Sequence, residues 1–129
     1  MRVLVVDDDQ NIRRLVSFNL KADGHEVILA TNGKEGYETA QREHPDLILL
    51  DIMMPIMNGY ETCSNLKQNP ETKDIPVFML SAKGQMTDLD EAFAVGADNY
   101  ITKPFDVEKL NKTIMFKLES YKARLAKNK

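Results

Sequence analysis

Four short runs of consecutive apolar residues punctuate the chain: Val3-Leu4-Val5-Val6, Val27-Ile28-Leu29, Leu47-Ile48-Leu49-Leu50 and Val77-Phe78-Met79-Leu80. A weaker fifth, Tyr100-Ile101, follows. Apolar residues at successive positions suit strands covered on both faces, as in a parallel sheet lying between helices. Between the runs the period becomes helical. Ile12, Leu15, Val16, Asn19 and Leu20 follow helix spacing, with Asp9 as a candidate N-cap and Gly24 closing the helix. Asn32 with Glu35, and Asn58 with Glu61, resemble capping boxes that open a second and a third helix. Pro45 stops the second, Asn69-Pro70 ends the third, and Ile75-Pro76 leads into the fourth strand. Met86, Leu89, Ala92 and Phe93 form one face of a fourth helix that Gly96 closes. Val107, Leu110, Ile114, Leu118, Tyr121 and Leu125 mark a last helix from Asp106 to about Lys127.

Five strand–helix repeats with right-handed crossovers close most naturally as an open, doubly wound parallel sheet. The second and fifth runs are the shortest or most polar, so they belong at the edges. That gives the flavodoxin-like α/β architecture with strand order 2-1-3-4-5. No linker, low-complexity tract or further repeat interrupts residues 1–129, which read as one domain.

Ligands in such folds bind beyond the carboxyl ends of the strands, where strand order reverses. Asp7, Asp8 and Asp9 follow strand one, Asp51 follows strand three, Ser81 strand four and Lys103 strand five. Strands one and three are neighbours, so Asp7, Asp8 and Asp51 should converge; Asp9 reads as the helix cap. Clustered carboxylates either hold protons or bind a cation. Oxygen donors without His or Cys suit Mg²⁺ or Mn²⁺, not zinc. A cation there, a hydroxyl at Ser81 and an ammonium at Lys103 could share three phosphoryl oxygens, and a carboxylate can accept the phosphoryl group covalently.

Composition narrows the setting. The formal net charge of −3 argues against broad charge-driven nucleic-acid binding. The one cysteine, Cys63, cannot form an internal disulfide and reads as buried filler, and no apolar stretch approaches the roughly 20 residues of a membrane span. A cytoplasmic protein that binds neither membrane nor nucleic acid directly is the simplest expectation. Met53, Met54, Met57 and Met79 read mainly as packing residues. His25 and His44 sit apart at turns and form no site.

The stretches 3–9, 50–59 (Leu-Asp-Ile-Met-Met-Pro-Ile-Met-Asn-Gly), 80–82 (Leu-Ser-Ala) and 96–105 (Gly-Ala-Asp-Asn-Tyr-Ile-Thr-Lys-Pro-Phe) resemble response-regulator receiver domains of two-component signalling systems. The resemblance covers residues 1 to about 118 and leaves 119–129 as an extension of the last helix, with a linker to an output domain as one reading. It implies that Asp51 is the phosphoacceptor and that Asp7, Asp8, Asp51 and the backbone carbonyl of Met53 hold Mg²⁺. It also implies that Ser81 and Tyr100 are switch residues, that Lys103 contacts the phosphate, and that the bond to Pro104 is cis. Met53 and Lys83 stand where the family tunes the lifetime of the aspartyl phosphate. The implied activity is that of a switch, not an enzyme with a turnover substrate. A sensor histidine kinase or phosphotransfer protein would donate, and the surface of helix 4, strand 5 and helix 5 would bind a downstream protein, an output domain or a second copy.

Asn99, Thr113 and Met115 depart from the charged residues that receivers joined to winged-helix DNA-binding domains tend to carry. This weakens a charge-paired homodimer and a transcription-factor assignment. The loop from Asn69 to Pro76 looks more like receivers that stand alone or precede nucleotide-cyclase domains. The basic end of the last helix reads as a solvated tail, a partner helix or the start of a linker. Two rivals from other classes stay open: a haloacid-dehalogenase-type phosphatase using Asp7-Asp8-Asp9, which leaves Asp51 unexplained, and a phosphorylation-independent adaptor.

Overall fold

The structure, a computed structural model, describes residues 1–82, 86–103 and 105–127, excepting the side chains of 82, 86–89 and 107. Five strands, β1 (Arg2–Val6), β2 (Glu26–Ala30), β3 (Leu47–Asp51), β4 (Val77–Ala82) and β5 (Asn99–Lys103), alternate with helices. The helices are α1 (Gln10–Ala22), α2 (Gly33–Glu43), α3 (Gly59–Gln68), α4 (Met86–Ala94) and α5 (Leu110–Lys127). All strand pairs are parallel and the order is β2-β1-β3-β4-β5, as the patterning predicts.

The helix starts follow their caps. The Asp9 carboxylate accepts from the amides of Asn11 and Ile12, Asn32 from Glu35, and Asn58 from Glu61. Each bond satisfies an amide that the first helical turn leaves without a partner. The box at α2 is only half formed, because the Glu35 carboxylate takes the Thr31 hydroxyl instead. The last helix begins later than expected: Val107–Lys109 is a 3₁₀ turn, and the α-helix starts at Leu110. Beyond Tyr121 its residues through Lys127 are exposed.

Strand alternation splits the core in two. Leu4, Val6, Ile48, Leu50, Val77 and Met79 face one layer, with Ala40, Cys63, Leu66 and Ala92 of α2, α3 and α4. Val3, Val5, Leu47, Leu49, Phe78, Leu80 and Ile101 face the other, with Val16 and Leu20 of α1 and Leu110, Ile114 and Leu118 of α5. Cys63 is the expected buried filler, its thiol pushed up by burial to about 12 and so unreactive at neutral pH. The helical spacing overreached in three places: Leu15, Phe93 and Leu125 stay substantially exposed. Met86 and Leu89, expected to share the inner face of α4 with Phe93, have side chains outside the described residues.

At the amino end of β4 the Asp98 carboxylate accepts from Lys67 Nζ (2.7 Å) and from the backbone amide of Val77 (2.8 Å). The same ammonium donates to the carbonyls of Ile75 and Lys73. These bonds join the end of α3, the start of β4 and the start of β5.

Candidate functional site

Asp7 and Asp51 continue the alternation of Val3-Val5 and Leu47-Leu49, and Lys103 that of Ile101, so the three share the parity of the α1/α5 layer. Asp7 is fully buried and Asp51 nearly so, while Asp8, at the start of the loop into α1, is exposed. Each of the three acids can offer an oxygen within 4.8 Å of those of the other two. Lys103 Nζ lies 2.8 Å from Asp7 Oδ2 and 3.4 Å from Asp51 Oδ1.

Burial, then the charge of Asp7, raises the Asp51 carboxyl to about 6, although Lys103 pulls the other way. Burial alone would lower the pKa of Lys103, but its hydrogen bond to Asp7 and the charges of Asp51 and Asp7 leave it above the ordinary lysine value. One ammonium therefore stands against three acids, a deficit of positive charge that a cation would remedy. The donors are carboxylate oxygens without His or Cys, which fits a hard divalent ion and not zinc.

The loop carrying Asp8 is fixed by bonds that the sequence did not reveal. Asp7 Oδ1 accepts from the amide of Asp9 (2.9 Å), and Arg13 Nη1 of α1 donates to the Asp7 carbonyl (2.7 Å). The loop after Asp51 is equally constrained. A Cβ on Gly59 would collide with the Asp51 carbonyl and Ile52 Cα, so only glycine lets α3 start so close to β3. Within that loop Ile56 has φ 71°, a left-handed conformation that strains a β-branched residue. Met54 packs in the core as expected, whereas Met53, two residues past Asp51, exposes 66% of its surface and is no packing residue.

Ser81 continues the alternation of Val77-Met79 and lies on the α3/α4 side with Tyr100. It is buried, and its hydroxyl is the buried side-chain polar atom without a partner among the described residues. A buried hydroxyl of this kind can donate to an acceptor brought within its reach. Tyr100 is half-buried and touches Phe93 edge-on, with centroids 5.9 Å apart. Pro104, expected after a cis bond, and Lys83 lie outside the described residues.

Comparison with known proteins gives the family. The DNA-binding dual master transcriptional regulator RpaA of Synechocystis is 47% identical over 109 residues, 84% of this chain and 45% of that protein. The chain thus spans less than half the length of that relative. Protein PilG of Pseudomonas aeruginosa is 42% identical across 85% of this chain and 82% of its own length. The chemotaxis response regulator CheY4 of Vibrio cholerae superposes with a TM-score of 0.84 at 36% identity, covering 90% of this chain and 97% of that one. A family profile, the response regulator receiver domain, matches residues 3–115, and the chain belongs to that family.

Proposed function

We propose that the chain is a cytoplasmic phosphorylation switch in which Asp51 accepts a phosphoryl group from a phosphohistidine of a sensor kinase or phosphotransfer protein. The observation that carries this reading is the convergence of Asp7, Asp8, Asp51 and Lys103 at one sheet edge that also carries the buried hydroxyl of Ser81. An Asp51 oxygen attacks phosphorus; the new P–O bond replaces the P–N bond, and the departing imidazole takes up a proton. Mg²⁺, held by Asp7, Asp8, Asp51 and the Met53 carbonyl, would neutralise phosphoryl charge when bound. Lys103 already neighbours Asp51 and is placed to pair with one phosphoryl oxygen, and the Ser81 hydroxyl would donate to another. With Lys103 already beside Asp51, the charged part of the site requires little reorganisation. Hydrolysis of the acyl phosphate returns Asp51 and ends the signal.

The state is read by the surface of α4, β5 and α5, as buried Ser81 of β4 and Tyr100 of β5 move together and one arrangement gains population over the other. A second reading concerns what lies beyond this domain. The likeness to RpaA favours a DNA-binding output domain in a longer protein, despite Asn99, Thr113 and Met115; the likeness to PilG favours a nearly free-standing receiver. A phosphatase using Asp7-Asp8-Asp9 has little support, because Asp9 is occupied as a helix cap and Lys103 and Asp51 would be idle.

Intact-mass measurement after incubation with acetyl phosphate tests the proposal. One phosphoryl group should appear only with Mg²⁺ and be absent from Asp51→Asn. Labelling of Asp51→Asn at another acid would overturn the assignment. If wild type takes up no group from acetyl phosphate or from candidate kinases, the adaptor reading replaces it.

A further inference from the structure

Tyr100 is held by more than its strand. Its ring meets Phe93 of α4 edge-on at an interplanar angle of 79°, and Lys117 of α5 places Nζ 5.2 Å from the ring centroid. That ammonium also donates to Asn99 Oδ1 (3.2 Å), the oxygen that accepts the Tyr100 amide N–H (2.8 Å). A single α5 cation therefore contacts both the ring and the Asn99 side chain that holds the Tyr100 amide. Its partners are a ring face and a neutral amide. An acid at position 99 would instead take the ammonium as an ion pair and draw it from the ring.

We infer that Lys117 is a positioning residue for the switch, holding Tyr100 in the arrangement seen here and setting how readily the Asp51 site commits to its phosphorylated state. The inference rests on the proposed roles of Asp51 and Tyr100. A ring that turns toward Ser81 gives up its contact with the ammonium. A contact made in one arrangement only raises the ligand concentration needed to populate the other. Phe93 contributes an edge contact that any aromatic pair could supply. Lys117 contributes charge, which a substitution removes without opening a hole in the core.

The test uses the 129-residue chain labelled with 3-fluorotyrosine, whose four tyrosines give separate ¹⁹F signals. Tyr100→Phe assigns the signal of residue 100. Beryllium fluoride, a phosphoryl mimic, is titrated in saturating Mg²⁺. The wild-type signal of residue 100 should move as the site fills. In Lys117→Met the half-saturating concentration should fall about two- to five-fold, the range expected for one surface cation–π contact. The free signal should already lie toward the filled position. Lys117→Arg, which keeps the cation over the ring, should stay near wild type, and urea midpoints of both variants check folding. An unchanged or raised midpoint in Lys117→Met, with wild type responding, overturns the role of Lys117. A filled site that leaves the wild-type signal unmoved overturns it together with the role of Tyr100. Failure of wild type to bind the mimic, measured by calorimetry, overturns the Asp51 site beneath both.

Discussion

The carboxyl edge of the sheet has two unlike halves. On the α1/α5 side Asp7, Asp51 and Lys103 are tied to one another, with ion-pair distances of 2.8 and 3.4 Å and with Asp7 fully buried. On the α3/α4 side Ser81 has no hydrogen-bond partner among the described residues, and Tyr100 is half-buried between Phe93 of α4 and Lys117 of α5. Residues one position apart on a strand face opposite layers, so one edge can carry a charged cluster held in place and a pair with room to rearrange. Under the proposed function the division has a purpose: capturing a phosphoryl group calls for fixed charges, and reporting it calls for groups whose present contacts are weak.

Four substitutions or conditions probe that contrast, each followed by urea unfolding in chelator. Lys103→Met should cost the most, about 3 kcal/mol, because it strands two buried carboxylates; added Mg²⁺ should restore part of the loss. A cost below about 0.5 kcal/mol would mean that the trio is not electrostatically fixed. Asp51→Asn should work in the opposite sense and stabilise the metal-free protein at pH 7.5 by on the order of 2 kcal/mol. The same gain should depend on pH. The folded state keeps the Asp51 proton up to about pH 6, against about 3.8 for the ordinary carboxyl, so wild-type stability falls as pH rises through that window. The difference between wild type and Asp51→Asn should vanish below pH 4; a constant difference would deny Asp51 its raised pKa. Ser81→Ala should change stability least, within about 0.5 kcal/mol, because none of the described residues bonds its hydroxyl. If it destabilises as much as Lys103→Met, the two halves are not different in kind.

Much of this was legible in the chain. Consecutive apolar residues identified the strands, and their unequal length and polarity identified the edges. The fold then brought Asp7, Asp8, Asp51, Ser81 and Lys103 to one edge. What escaped depends on partners distant in sequence. Arg13 reads as an ordinary surface charge until α1 carries it back to the Asp7 carbonyl. Lys117 reads as a solvated lysine until α5 crosses β5. Apolar side chains at the margin of a helical stripe, such as Leu15 and Phe93, can turn either way, because a 3- or 4-residue repeat does not set the width of the buried face. The left-handed Ile56 had no signal at all, since nothing in the residue type favours that conformation.

The bonds of Asp98 to Lys67 and to the Val77 amide acquire a mechanical meaning beside the unpartnered Ser81. They tie the amino end of the β4–β5 pair to α3, while at the far end the Ser81 hydroxyl has no hydrogen-bond partner among the described residues. Under the proposed function, a rotation of Ser81 at one end of the pair leaves the anchor at the other undisturbed, so the sheet can keep its register while the site changes state.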